Sequence, residues 1–209
     1  MRLADIAKEI GEELDAKEAV REAMLKSSRE IVRKCGSAIM AIHKGEDSGK
    51  ALAALRDDVK RLNSIVAGHP DLAGAGAVET AHQEYTEATV LRAISKGAGI
   101  PGHRELVVSP QAYLEGIGDA VGELRRMALT ALMAGDVDAA RALLDRMDSI
   151  YDFLMRFDYP AALAGVRRKQ DVARSLIEKT RGELAVAMHS KRLEERLAGA
   201  RRRPWKKKL

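Results

Sequence analysis

Residues 108–128 read VSPQAYLEGIGDAVGELRRMA, and this stretch carries both a helix start and a helical repeat. Ser109 is a favourable N-cap residue, and Pro110 stands at the first helical position, where its missing N–H costs nothing. Apolar residues then recur every three or four positions: Tyr113, Ile117, Ala120, Val121, Leu124, Met127 and Ala131. The pattern predicts one long amphipathic helix from residue 110 to about Met133, which ends before Gly135.

The rest of the chain has the same helical character. Aromatic residues make up only 3% of it, there are five prolines, and no β-branched run alternates with period two. Further amphipathic stretches cover about residues 2–44, with Asp15 as a candidate break, then 50–67, 77–96, 138–157 and, after the Asp158-Tyr159-Pro160 corner, a last one that reaches Gly199. We therefore expect an all-α, single-domain bundle of about six to seven long helices over residues 1–199.

The positive charge of the chain is concentrated at its C-terminus. The 209 residues carry a net charge of +5, of which Arg201–Leu209 contributes six positive and no negative charges, so the preceding 200 residues carry −1 (5 − 6). The pI of 9.3 therefore reflects a basic tail, assigned to residues 200–209, rather than a basic body. Such a tail either remains a flexible, solubilising terminus or attracts phosphate backbones.

Composition also excludes several classes of protein. With 46% hydrophobic and 32% charged residues, the chain is globular rather than disordered. It has no run approaching the roughly 18 apolar residues of a membrane span, and Met1-Arg2-Leu3-Ala4-Asp5 is too charged for a signal peptide. Cys35 is its single cysteine, which excludes an internal disulfide and a cysteine-based zinc site. We expect a soluble, cytoplasmic protein with no membrane partner.

Two glutamates of the helix over 77–96 lie where that helix should be apolar. Its apolar arc consists of Val78, Ala81, Tyr85, Ala88, Leu91 and Ile94. At about 100° per residue, Glu84 projects beside Leu91, and Glu87 projects between Leu91 and Ile94. The two carboxylates form a like-charged i, i+3 pair with no cation at i+4, which costs free energy unless a positive group lies between them.

The helix that starts at residue 110 also carries two carboxylates beside its apolar positions. Asp119 and Glu123 lie one turn apart at the edge of its apolar stripe. The same helix contains Gly116, Gly118 and Gly122, each costing ~1 kcal/mol relative to alanine, which is tolerated where a backbone or a ligand approaches closely. Two neighbouring helices that each lend two carboxylates to one groove would form a hard-oxygen site for Mg²⁺ or Mn²⁺, suited to phosphoryl displacement. The alternative is a pair of solvated acidic faces, which does not explain carboxylates within apolar arcs.

Basic residues on the first and last helices are candidate phosphate-binding residues of low sequence specificity: Lys26, Arg29, Arg33, Arg167, Arg168 and Lys169. Interleaved acidic residues leave open the alternative of solvated helix faces with intrahelical ion pairs. Of the five histidines only His82 lies one turn from the glutamates, and a structural role explains it more simply. Cys35 lies on the apolar stripe of the first helix and is expected to be a core thiol.

The stretch from Val108 to Ala128 resembles the most characteristic helix of the translin family, and within it the catalytic partner, translin-associated factor X. Two further segments agree with that family, namely QEYTEA at 83–88 and the run from Tyr151-Asp-Phe153 to Arg168-Lys169-Gln-Asp171-Val172. The order and spacing of the segments are similar too, so the resemblance spans most of residues 10–190. The chain departs from the eukaryotic catalytic partner in lacking its long insertion before residue 108, and its basic tail has no counterpart.

The resemblance implies an all-α protomer that assembles into a hollow octamer and holds RNA, sometimes single-stranded DNA, inside the shell. It further implies Mg²⁺-dependent endoribonuclease activity on single-stranded RNA. The family's acidic residues map onto Glu84, Glu87 and Asp119 as metal ligands, with Glu123 nearby, and these are the four positions that helix geometry also singles out. Two other classes stay open: a non-catalytic, translin-like oligomer that binds RNA or single-stranded DNA, and a helical scaffold with no nucleic-acid role.

Overall fold

A computed structural model describes residues 2–160 and 165–201, and in these residues the chain forms eight helices and no strands. The helices are α1 (Leu3–His43), α2 (Gly49–Val66), α3 (Pro70–Ala73), α4 (Gly76–Ser95), α5 (His103–Leu106), α6 (Pro110–Met133), α7 (Val137–Leu154) and α8 (Arg167–Arg201). The predicted all-α bundle is confirmed. The predicted tail lies almost entirely outside the described residues, since α8 reaches Arg201. No helix in the described ranges is both long enough and apolar enough to cross a membrane.

The helix bounds differ from the sequence predictions at four places. α1 continues unbroken through Asp15. The segments before and after α4, predicted as loops, each contain one short helix, α3 and α5. α7 ends at Leu154, before the predicted residue 157, because the side-chain amide of Gln170 on α8 donates hydrogen bonds to the carbonyl oxygens of Leu154 (2.8 Å) and Phe157 (3.0 Å). These bonds satisfy backbone acceptors that a longer helix would have satisfied internally.

α4 is the central helix of the bundle, packed between α1 and α6, while α6 in turn packs on α7 and α8. The side chains of α4 are buried around most of its circumference, as in a helix with neighbours on several sides. The predicted apolar arc is confirmed in the core, where Val78, Ala81, Tyr85, Ala88 and Leu91 are at most 2% exposed.

The glycines of α6 mark the places where neighbouring helices approach its backbone. A Cβ at Gly116 would lie 2.4 Å from the carbonyl oxygen of Gln83 on α4, and one at Gly118 would lie 2.9 Å from Cβ of Lys169 on α8. Both distances are far below a carbon–carbon or carbon–oxygen contact, so only glycine fits. Gly122 has no such neighbour, since the nearest atom is a Leu176 methyl at 4.0 Å. Close backbone approach therefore explains two of the three helix-weakening residues, and it brings the acidic segments of α4 and α6 side by side.

Candidate functional site

The two glutamates of α4 point away from bulk solvent, as their positions on the helix predict. Glu87 is only 9% exposed, and Glu84 is half-buried. Asp119 and Glu123 on α6 are also half-buried, with side chains 28% and 25% exposed. All four side chains stand on the adjoining helices α4 and α6 and are at least partly withdrawn from water, which makes negative charge expensive. We call the region between these two helices the groove.

The four carboxyl groups are close enough to perturb one another. Burial first, and then the charges of Glu84, Asp119 and Glu123, raise the pKa of Glu87 to about 8, against a lowering by Lys169. The pKa of Glu84 is raised by burial first and then by Asp119 and Glu123, again with Lys169 as the opposing charge. Each of these shifts favours the protonated acid, as expected when like charges share a water-poor site. We call Glu84, Glu87, Asp119 and Glu123 the acidic cluster.

Asp119 is held by two partners that the sequence patterns did not single out for this purpose. The ammonium of Lys169 on α8 lies 2.5 Å from Asp119 Oδ1, and the side-chain amide of Gln83 on α4 donates to Asp119 Oδ2. Lys169 was predicted as a phosphate-binding residue, and the structure places it within the acidic cluster. The remaining predicted basic residues are exposed and make no ion pair with the cluster: Lys26, Arg29, Arg33, Arg167 and Arg168.

Glu123 is held by two other residues, one on α1 and one on α6. The imidazole of His43, at the end of α1, is in hydrogen-bond contact with Glu123 and is only 11% exposed. The guanidinium of Arg126, one turn along α6, lies 3.7 Å from Glu123 Oε2. His43 was missed because it stands 80 residues away in the sequence, and only the packing of α1 across the bundle brings it here. His82, the histidine nearest in sequence, instead donates from Nε2 to Asn63 Oδ1 (2.9 Å), and burial lowers its pKa to about 4. The structural role expected for His82 is confirmed.

Glu84 and Glu87 have no polar partner among the described residues, and of the two only Glu87 is buried. No hydrogen bond or ion pair joins its carboxyl group to another residue in the part of the chain that the structure describes. Cys35 of α1 lies behind it, fully buried as expected of a core thiol, and burial together with the charges of Glu84 and Glu87 raises the pKa of that thiol to about 12.

The donor set suits a hard divalent cation, because it consists of carboxylate oxygens and lacks thiolate. The buried carboxyl group of Glu87 has no partner and lies near three other carboxyl groups. A divalent cation bound there would neutralise their negative charge. Within residues 2–160 and 165–201, however, no three His, Cys, Asp or Glu side chains are already arranged to hold one ion. Two of the four carboxylates are instead engaged by Lys169, Gln83 and His43. A metal ion at Asp119 would therefore have to displace one of the donors bound to that carboxylate.

The segment that contains the acidic cluster matches known proteins. The model of the Translin family matches residues 78–181, which include all four carboxylates and Lys169. An uncharacterized protein of Methanocaldococcus jannaschii is 36% identical over 185 residues, covering 87% of this chain and 82% of that protein. AfC3PO, solved in complex with duplex RNA, is 32% identical over 88% of this chain and 97% of its own, with a TM-score of 0.72.

The chain belongs to the translin family. A second structure of AfC3PO gives 33% identity, the same coverage of both chains and a TM-score of 0.73. The structure of apo-NeC3PO has a TM-score of 0.77 over 90% of this chain and 98% of its own, and at 24% identity it shows the shared fold alone. The resemblance to the translin family is thus confirmed for this protein, and the bundle described above is the translin-family fold.

Proposed function

We propose that this translin-family protein is a Mg²⁺-dependent endoribonuclease, closest in role to translin-associated factor X, that cleaves single-stranded RNA. Glu84, Glu87 and Asp119 would hold Mg²⁺, or Mn²⁺ in its place, and Glu123 would orient the water or ligand beside it. The observation that carries this proposal is Glu87, a buried carboxyl group without a partner that faces three further carboxyl groups. A divalent cation bound among them supplies charge stabilisation for phosphoryl displacement and activates a water nucleophile.

The other residues of the groove have positioning roles in this proposal. Gln83 and His43 each fix one carboxylate from outside the acidic cluster, Gln83 at Asp119 and His43 at Glu123. Fixed carboxylates lose less conformational freedom when they take up a ligand, which favours a defined arrangement of reacting groups.

RNA is the proposed ligand because AfC3PO, a relative over almost its whole length, has been solved with duplex RNA. The exposed basic residues of α1 and α8 would contact phosphates, and helix spacing puts Arg29 and Arg33 one turn apart on one side of α1. Contacts of this kind carry little sequence specificity and weaken as salt is added.

An oligomer of identical chains, as a hollow octamer, is also proposed. The first half of α1 carries an apolar stripe, and its members Leu3, Ile10 and Leu14 are 85%, 51% and 60% exposed. Val186, Leu193 and Leu197 form a similar exposed stripe on α8. Helical periodicity puts each set within a narrow arc, which suits packing against a helix of a second copy.

A specific observation favours a second candidate, a non-catalytic oligomer that binds RNA or single-stranded DNA. Asp119 is already neutralised by Lys169, at 2.5 Å, and Glu123 is engaged by His43. If these contacts persist, the carboxylates are structural, and the protein would bind nucleic acid in a salt-dependent way without turnover.

Cleavage of a short labelled single-stranded RNA in the presence of Mg²⁺ separates the two candidates. We expect the wild-type protein to cleave it, Glu87→Gln to lose cleavage, and Glu115→Gln to retain it. Glu115, one turn before Asp119 on α6, is the matched control because it is a half-buried glutamate that accepts a hydrogen bond from Gln111 at 3.2 Å, and its charge is not among those that shift the pKa of Glu84 or Glu87. Equal cleavage by all three proteins would reject the metal site. RNA binding that weakens with salt, without cleavage by the wild type, would establish the second candidate.

A further inference from the structure

We infer that Lys169 is a resident counter-cation of the acidic cluster: its ammonium holds Asp119 while no divalent cation is bound, and it must leave Asp119 for a divalent cation to bind there. The inference rests on the proposed function, since it takes the acidic cluster as the site of that cation. It adds that an ammonium of the chain itself competes with the divalent cation for Asp119. The pattern of carboxylates in the sequence does not predict this competition.

The contacts of Asp119 show why the two cations compete. Lys169 Nζ lies 2.5 Å from Oδ1, and Gln83 donates to Oδ2, so both oxygens already serve a donor. An ammonium hydrogen-bonded to a carboxylate oxygen stands on the side from which a metal ion would approach it. The pair is only 22% and 28% exposed, so solvent weakens the attraction less than it would at the surface. A divalent cation therefore has to displace this contact, at a cost in affinity.

The charge balance shows why displacement is favourable. Among the described residues, Lys169 is the charge that opposes the mutual repulsion of the carboxylates at both Glu84 and Glu87. The guanidinium of Arg126 lies 3.7 Å from Glu123 but is largely exposed, and Glu87, nine-tenths buried, has no polar partner among the described residues. A divalent cation would offset this repulsion better than a single positive charge does, because its attraction to each carboxylate is doubled at equal distance.

The backbone around Lys169 allows the ammonium to move while its helix stays in place. Its Cβ packs on α6 at Gly118, where a Cβ would come within 2.9 Å, so the start of the side chain is fixed. Beyond Cβ the lysine is a flexible stem with a compact charge at its end, which can swing to a new partner without a shift of α8.

Binding of Mn²⁺ alone, measured by electron paramagnetic resonance on the full chain, tests the inference. Lys169→Met keeps the stem and removes the charge, and we expect it to bind Mn²⁺ at least about tenfold more tightly than the wild type. An opposite charge at such a distance changes the proton affinity of a carboxylate by about one to three orders of magnitude, and we take the lower end of that range for the metal ion. Lys34→Met is the matched control: Lys34 also pairs with a buried aspartate, Asp58 at 2.8 Å, but on α1 and α2. Its Mn²⁺ affinity should equal that of the wild type.

Unchanged or weaker Mn²⁺ binding by Lys169→Met would overturn the inference and leave the proposed metal site standing. A wild-type protein that binds no Mn²⁺ would overturn both. A second measurement needs no variant: acetylation of lysines in the wild type, read by mass spectrometry with and without saturating Mg²⁺. We expect the labelling of Lys169 to rise with Mg²⁺ while that of Lys34 stays constant. Equal labelling of Lys169 in both conditions, with Mg²⁺ bound, would show that the ammonium does not leave.

Discussion

Glu87 is the most buried member of the acidic cluster, and its ionisation should therefore be visible in the stability of the fold. Its pKa is raised from 4.5 to about 8 in the folded chain by burial and by its acidic neighbours. Between these two values the folded protein keeps the proton and the unfolded chain releases it. The contribution of Glu87 to stability is therefore full below about pH 4.5 and is lost as the pH rises to about 8.

We predict that Glu87→Gln, which cannot ionise, removes this loss. Without divalent cations, its free energy of unfolding should exceed that of the wild type at pH 9 and approach it near pH 5, with a difference of about 1.4 kcal/mol for each unit of pKa shift that the variant abolishes. Urea unfolding in EDTA between pH 5 and pH 9 measures this, with Glu115→Gln as the control. A Glu87→Gln difference that does not depend on pH would show that the glutamate is ionised in the folded chain.

Helix geometry identifies the residues of the acidic cluster from the sequence, but not the residues that hold them. Glu84 and Glu87 stand out because the 100° repeat of the helix places their charged side chains within its apolar arc. The partners come from other helices: His43 is 80 residues from Glu123, and Lys169 is 50 residues from Asp119. Their contacts depend on which helices become neighbours, and the periodicity of one helix contains no information about that.

At the scale of the helix, α6 is placed by two glycines against two different neighbours. Gly116 lets the backbone of α4 approach, and Gly118 lets α8 approach, so the carboxylates of α4 and α6 and the ammonium of α8 meet at one point. The third glycine, Gly122, has open space around its Cα. The helix is thus weakened at three positions, of which two are needed for packing.

We predict opposite effects of alanine at two of these glycines. Gly116→Ala should destabilise the protein by about 1–3 kcal/mol, because its Cβ would overlap the backbone of Gln83 and force α4 away from α6. Gly122→Ala should stabilise it by up to about 1 kcal/mol, since the methyl group meets nothing closer than 4.0 Å and alanine favours the helix. Thermal and urea unfolding of both variants check this. A stable Gly116→Ala protein would mean that the two helices are free to separate.

Helix bounds are predictable where the signal is local and fail where it is not. The start of α6 agrees with the prediction. The Ser109 hydroxyl accepts a hydrogen bond from the N–H of Ala112 at 3.0 Å, and this N-cap is predictable from the Ser-Pro pair in the sequence. α3 and α5 are single turns, too short for an apolar repeat to develop. The end of α7 is set by Gln170, which lies on another helix. This tertiary contact cannot be predicted from the sequence of residues 137–157.

At the scale of the whole molecule, α1 and α8 are longer than the bundle needs. The buried residues of α1 begin at Met24, and Val20 is the first side chain that packs on the core, so the turns before Val20 carry the apolar stripe of Leu3, Ile10 and Leu14 into solvent. The amphipathic pattern of α1 predicts a buried face correctly, but it does not distinguish burial within the chain from burial against a second copy. An exposed stripe of this kind at the ends of two long helices is typical of an interface between subunits.

We predict that Leu14→Asp dissociates the proposed oligomer, because a carboxylate placed in an apolar helix–helix contact is desolvated without a partner, at a cost of several kcal/mol per interface. The isolated chain should still fold, since Leu14 is 60% exposed within it and contributes nothing to the core. Met133→Asp is the matched control: Met133 is 90% exposed at the end of α6, outside the α1 and α8 stripes, so the substitution should leave the mass unchanged. Light scattering during size-exclusion chromatography should give eight chains for the wild type and Met133→Asp and fewer for Leu14→Asp, with circular dichroism checking the helices. A Leu14→Asp particle of the wild-type mass would remove this half of α1 from the interface and leave the α8 stripe as the surface to test.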